Sequence, residues 1–72
     1  MANESVPLPR PNVKIERASG PGVTENARQI TIGRPGDSKS KVYINDGASP
    51  EEAIEKGIEQ ILNDPVTREW LP

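Results

Sequence analysis

The spacing of apolar residues predicts one amphipathic helix in the last third of the chain. Small or apolar residues recur there at intervals of three and four: Ala53, Ile54, Gly57, Ile58, Ile61 and Leu62. This spacing places them on one stripe of an α-helix, which must pack against another element to leave water. Asn63-Asp64-Pro65 ends the pattern, because proline cannot continue a helix. We therefore predict a helix over residues 50–63.

The start of this helix is marked by the segment Ser49-Pro50-Glu51-Glu52. Ser49 is placed to accept a hydrogen bond from the N–H of residue 52, and Glu52 to accept one from the N–H of residue 49, which completes a capping box. Pro50 suits the first helical position, where no N–H is needed. Glu51 and Glu52 bring negative charge to the positive end of the helix dipole.

Apolar and polar residues alternate in the segments before the helix, which predicts strands. The predicted strands cover about 13–17, 27–33 and 40–45, and the turn sequence GRPGDSKS joins the last two. We expect the inward face of this hairpin, under the helix, to consist of Ile30, Ile32, Val42 and Ile44. The solvent face would then carry Lys41, Tyr43 and Asn45.

The two ends of the chain carry weaker patterns. Residues 1–12 hold three prolines at alternate positions and predict a disordered tail, and their PLPRP segment also resembles peptides that dock in aromatic grooves. Residues 18–26 are rich in Gly, Ser, Pro and Asn and predict a loop. After the helix, Asp64 is suited to cap a short helical turn whose apolar contacts would be Val66, Trp70 and Leu71.

Together these elements predict a single small α+β domain over residues 13–72. A sheet of two or three antiparallel strands would carry one main helix and a short C-terminal helical turn. A core of this size is close to the limit of independent stability. Gly57 weakens the middle of the helix and permits the close approach of either the sheet or a second copy of the helix. Both observations favour a homo-oligomer, of which a homodimer is the simplest.

Composition removes several classes of chemistry. The chain has no cysteine and no histidine, which excludes disulfides, thiolate or imidazole metal sites, and catalysis by either residue type. We therefore expect no cofactor, no metal and no catalytic residues, and we expect that the protein is not an enzyme. No apolar run reaches membrane length. The expected location is the cytoplasm, or a virus particle if the protein is phage-encoded.

Charge is distributed unevenly along the chain. The net charge is −2, and residues 49–72 hold six of the eleven acidic residues but two of the nine basic ones. Glu51, Glu55 and Glu59 follow at intervals of four and form an acidic stripe on the helix. With Tyr43, which this pattern exposes, and Trp70, they are the candidate residues for binding a protein partner. Alternatively, Trp70 fills the edge of the core.

Three functional hypotheses follow from these features. The first is a non-enzymatic protein-binding or regulatory module, homodimeric and of phage or accessory-element origin. The second is a small DNA-binding regulator, because a strand followed by a capped helix resembles the start of a ribbon-helix-helix subunit. Its DNA contacts would be Arg34, Lys39, Lys41, Tyr43 and Asn45. Residues 65–72 are too few for the long second helix of that arrangement, and the mild charge does not favour nucleic acid. The third is a structural component of a larger assembly.

Overall fold

The computed structural model describes residues 11–71 and confirms the predicted α+β architecture. Its elements, in chain order, are β1 (Asn12–Arg17), β2 (Arg28–Gly33), β3 (Ser40–Asn45), α1 (Pro50–Asn63) and α2 (Pro65–Arg68). The strands form one antiparallel sheet in the order β1-β2-β3, and α1 packs over β2 and β3. Residues 1–10 of the predicted tail lie outside the described residues, whereas Asn12 already belongs to β1.

The helix start follows the predicted capping box with one change of partner. The Ser49 hydroxyl accepts from the Glu52 N–H at 3.1 Å, and Pro50 occupies the first turn. The returning Glu52 carboxylate accepts from the N–H of Ala48, not from that of Ser49 as predicted. Two N–H groups at the helix entrance are thus satisfied by side chains, which sets where α1 begins.

The core lies between β2 and the underside of α1. Its buried cluster consists of Ile30, Ile32 and Ile61. Gly57 faces this cluster so closely that a Cβ built on it would lie 2.6 Å from the Ile30 Cδ1 atom. The close approach that Gly57 permits is therefore used by the protein's own sheet. Gly57 therefore gives no support for packing against the helix of a second copy, which the sequence had left open.

The predicted inward face of β3 is wrong. Ile30 pairs with Tyr43 and Ile32 with Lys41, and directly paired residues lie on the same face of a sheet. Tyr43 and Lys41 consequently face the helix with the two isoleucines. Val42 and Ile44 point to the opposite face, where they are 52% and 56% exposed.

The length of the β2–β3 turn explains this reversal. Gly33 pairs with Ser40, the Arg34 N–H donates to the Lys39 carbonyl at 2.8 Å, and Gly36 has a φ of +73° within the turn. This closure sets even-numbered residues of β2 against odd-numbered residues of β3. Because side chains alternate with a period of two, a change of register by one residue would have placed Val42 and Ile44 under the helix.

The C-terminal segment closes one end of the core. Asp64 caps α2 as predicted, its Oδ1 atom accepting from the Val66 N–H at 2.9 Å. Trp70 and Leu71 pack against the core cluster. Val66, predicted to be a contact, is half exposed, and the fully buried residue of α2 is Thr67. The Thr67 hydroxyl donates to the Ile61 carbonyl at 2.8 Å, which ties α2 to the end of α1.

Candidate interaction surface

Strand β1 forms one edge of the sheet and all six of its residues are exposed. Its register sets Val13 opposite Ile32 and Ile15 opposite Ile30. These valine and isoleucine side chains therefore lie on the same face as the buried core of β2. They are nevertheless 55% and 47% exposed, respectively, because α1 lies over the other two strands.

One flank of α1 faces the same open side. The opposite flank lies over β3, where Gln60 bonds to Asn45 and Lys56 donates to the Asp46 carbonyl. Ile58 and Leu62 lie about 200° around the helix from Lys56 and Gln60, respectively. These two apolar residues therefore lie on the flank of α1 that is away from β3, on the β1 side of the helix, and they are 46% and 50% exposed.

We use the term open apolar surface for Val13, Ile15, Ile58 and Leu62. Two of its residues come from the sheet and two from the helix, so it continues the core beyond the area that α1 covers. Sequence reasoning missed this surface as a site. A signal was present in the alternation of Val13 and Ile15, which predicts a buried strand face that a single helix is too narrow to cover.

The opposite edge of the helix–sheet interface is polar and internally paired. Asp64 Oδ2 accepts hydrogen bonds from Lys41 Nζ and, at 2.8 Å, from the Tyr43 hydroxyl. That hydroxyl also lies 3.2 Å from Thr67 Oγ1. The hydrogen bond from Lys41, followed by those from Tyr43 and the Val66 N–H, lowers the pKa of Asp64 to about 2. The same contact with Asp64 raises the pKa of Lys41.

These contacts determine where the residues proposed to contact DNA lie. Lys41 and Tyr43 are bound to Asp64, and Asn45 exchanges two hydrogen bonds with the Gln60 side chain at 2.8 and 3.1 Å. The three side chains do share one face of β3, as predicted, but it is the face that the helix covers. Tyr43 is half-buried and not exposed. Reading DNA with these residues would require their release from α1 and Asp64.

The other predicted site residues fall into two separate places. Glu51, Glu55 and Glu59 are exposed on α1 and retain the character of an acidic stripe. Arg34, Lys39 and Trp70, which the sequence assigned to different hypotheses, line one concavity of about 410 Å³ between the β2–β3 turn and α2. Arg34 also forms an ion pair with Asp37 at 3.5 Å within the turn.

A second polar contact holds the loop between β1 and β2. Asp46 accepts from both the N–H and the hydroxyl of Thr24, and from the N–H of Gly47. These bonds, first that from the Thr24 hydroxyl, lower the pKa of Asp46. Asn26 adds a bond from its side-chain amide to the Gly47 carbonyl at 3.1 Å. The predicted loop is therefore attached to the segment that leads into α1.

Two further findings limit the chemistry of the described residues. Between residues 11 and 71, no cluster of three or more carboxylates is arranged to hold a metal ion. Neither α1 nor α2 has the length and apolar character needed to cross a lipid bilayer.

Comparisons of the chain with models of protein families, with curated protein sequences and with solved structures found no match. The function is therefore inferred from the arrangement of the protein's own residues.

Proposed function

We propose that the protein is a small, non-enzymatic protein-binding module that works as a homodimer, with the open apolar surface as its contact site. The observation that carries this proposal is the uncovered position of Val13 and Ile15 on the core face of an edge strand. Their burial by a partner would extend a core that one helix leaves incomplete.

The physical basis is the combination of apolar side chains with backbone groups of β1 that pair with no further strand among residues 11–71. An exposed edge strand presents N–H and C=O groups that pair readily with another strand. Beside that edge, four apolar side chains from β1 and α1 remain in contact with water. Burial of each such side chain contributes roughly 1.5–3 kcal/mol when complete. Association through this side therefore yields both hydrogen bonds and apolar burial.

The polar groups on the other side of the molecule support the same choice of surface. Around β3, the Lys41, Tyr43 and Asn45 side chains are paired with Asp64 or Gln60. Binding there would first break these internal bonds, which adds a cost that the open apolar surface does not carry.

The test is the mass in solution, measured by light scattering over a dilution series. We expect a dimer whose dissociation constant is raised at least tenfold by Ile15→Thr, which keeps a β-branched residue in the strand but removes apolar area. The matched control is Ile44→Thr, since Ile44 is an isoleucine of comparable exposure on the opposite face of the same sheet. Circular dichroism establishes that both variants retain the fold.

A folded monomer at every concentration would overturn the proposal. A dimer weakened by Ile44→Thr and unaffected by Ile15→Thr would also overturn it, because the contact would then lie on the other face or edge of the sheet. A dimer sensitive to Ile15→Thr alone supports it.

A further inference from the structure

We propose that two copies join by antiparallel pairing of β1 with β1 of the second copy, centred on Ile15, to form one six-stranded sheet with both α1 helices on the same face. This inference rests on the proposed function and adds to it the partner strand and its register. It is carried by the direction of the backbone groups of β1, by the position of Pro11, and by the charges of Lys14 and Glu16.

The direction of the backbone groups follows from the end of the strand. The Ala18 N–H donates to the Ala27 carbonyl, toward β2, and alternate residues of a strand direct their backbone groups to the same neighbour. Even-numbered residues of β1 therefore bond to β2. Val13, Ile15 and Arg17 direct their N–H and C=O groups outward, toward the open edge.

A two-fold axis at Ile15 uses all three of these residues. Ile15 then exchanges two hydrogen bonds with its equivalent, and Val13 pairs with Arg17 of the second copy on both sides of the axis. The three pairs supply about six backbone hydrogen bonds. Axes at Lys14 and at Glu16 are the two neighbouring registers that keep like faces together. The axis at Lys14 sets Arg17 against Pro11, which has no N–H to donate. The axis at Glu16 sets Val13 against Ser19, which lies beyond the end of β1.

Charge favours the same register. With the axis at Ile15, Lys14 lies opposite Glu16 of the second copy, and the equivalent pair forms on the other side of the axis. With the axis at Lys14 the two Lys14 side chains would lie directly opposite each other, and with the axis at Glu16 the two Glu16 side chains would do so. Opposite charges stabilise such cross-strand pairs, whereas like charges destabilise them. Within one copy, Lys14 Nζ lies 3.7 Å from Glu16 Oε2, and both side chains are exposed. Each side chain can therefore leave this ion pair and form one with the second copy.

The β3 edge is the competing site for strand pairing. Its exposed apolar residues, Val42 and Ile44, lie on the face without a helix. The helix-facing side of β3 is occupied by the bonds of Lys41, Tyr43 and Asn45. A pair formed at β1 instead brings apolar side chains of both copies together between two helices. The β1 edge therefore offers apolar burial on the same face that holds the core.

Single cysteines distinguish these arrangements, because the chain has no cysteine of its own. We expect Ile15→Cys to form a disulfide-linked dimer on mild oxidation, since a hydrogen-bonded antiparallel pair has Cα atoms about 5.5 Å apart, within disulfide range. Lys14→Cys should not form this link. Residue 14 lies two positions along the strand from residue 14 of the second copy, so their Cα atoms are more than about 7 Å apart. Val42→Cys is the control for pairing at the β3 edge.

Charge exchange provides a second measurement that forms no covalent link. Lys14→Glu should raise the dissociation constant about tenfold, since both charge pairs become repulsive. The double variant Lys14→Glu with Glu16→Lys should return it to within about twofold of the original. With the axis at Lys14, Lys14→Glu would replace a lysine–lysine pair by a glutamate–glutamate pair. The affinity would then be nearly unchanged.

The outcomes separate this inference from the proposed function. Linkage at Ile15→Cys with rescue by the double charge exchange supports both. A dimer linked through Lys14→Cys overturns the register, and one linked through Val42→Cys overturns the choice of edge. A dimer that links at none of the three positions and ignores charge exchange overturns pairing of β1 centred on Ile15. A folded monomer overturns the proposed function itself.

Discussion

Strands β1 and β2 carry the same apolar pattern, but the apolar side chains of β2 are buried and those of β1 are exposed. Val13 and Ile15 of β1 lie directly beside Ile32 and Ile30 of β2, on one face of one sheet. The β2 isoleucines are at most 1% exposed, whereas the β1 residues are about half exposed. The difference therefore does not come from local sequence. It comes from the position of α1, which lies over β2 and β3.

A single helix is too narrow to cover all three strands of this sheet. An α-helix with its side chains is about 10–12 Å wide, and neighbouring strands are about 4.8 Å apart. One helix thus covers about two strands. A third strand with apolar residues on the covered face remains partly exposed unless a second helix, a loop or another chain lies beside the first. In this protein, residues 11–71 leave that side of β1 open.

The largest expected effect is the loss of a buried isoleucine from β2. Ile32→Ala should lower the free energy of unfolding by about 2–5 kcal/mol, because it leaves a cavity in the core. Ile15→Ala should cost less than about 1 kcal/mol under dilution to the monomer, since its side chain is half exposed there. Urea denaturation measures both, with Ile32→Val as a milder substitute if the first variant does not fold. Equal costs would contradict the comparison of β1 with β2.

Protein concentration should affect β1 and β2 variants differently. If β1 is buried in a dimer, the cost of Ile15→Ala should increase with protein concentration, because folding is then coupled to association. The cost of Ile32→Val should not depend on concentration to the same degree, since the β2 side chain is already buried within one copy.

A second effect concerns the contact between Gly57 and Ile30. Gly57→Ala gains about 1 kcal/mol of helix propensity but introduces a methyl group 2.6 Å from Ile30 Cδ1, and such overpacking costs about 1–3 kcal/mol. We expect a net loss of stability. Ile30→Val removes the contacted methyl group, so the double variant should be at least 1 kcal/mol more stable than the sum of the single effects. Simple additivity would show that the sheet does not limit the helix at Gly57.

The polar edge should respond to pH. The pKa of Asp64 is about 2 in the folded protein, compared with 3.8 for an ordinary aspartate. Its contribution is therefore complete above about pH 4 and is lost as the pH falls through about 2. Urea denaturation between pH 5 and 2 should show a steeper loss of stability for the wild type than for Asp64→Asn. Identical slopes would contradict the ion pair with Lys41.

Tyr43→Phe tests the same edge without changing charge. It removes the hydroxyl that donates to Asp64 and lies beside Thr67, and should lower the free energy of unfolding by about 0.5–1.5 kcal/mol at neutral pH. Thr67 keeps its bond to the Ile61 carbonyl, so no buried donor is left unpaired. A cost near zero would indicate that Tyr43 contributes only its ring to the interface.

The smallest expected effect is on the acidic stripe. Glu55→Lys with Glu59→Lys should change the free energy of unfolding by less than about 0.5 kcal/mol, because both side chains are exposed on α1. Thermal denaturation measures this, and light scattering should show an unchanged dimer. A loss of dimer would place the contact on the acidic stripe, as the sequence hypothesis for partner binding allowed.

The sequence alone determined the elements whose cause is local. The bounds of α1 follow from Ser49, Pro50 and Pro65, since caps and proline act within a few residues. Strands β2 and β3 follow from alternation, and α2 follows from the Asp64 cap. The acidic stripe is likewise visible in the intervals between its glutamates. For these features, each residue interacts with neighbours that are close in the chain.

Which faces are buried and which edge is open depends on contacts between elements that are far apart in the chain. The pairing of Gly33 with Ser40 placed Tyr43 and Lys41 under the helix, and exposed Val42 and Ile44. Because α1 lies over β2 and β3, Val13 and Ile15 remain uncovered. Both outcomes depend on strand register and on where a helix lies across a sheet. Alternating apolar residues specify that a strand has an apolar face, but they do not specify what covers it.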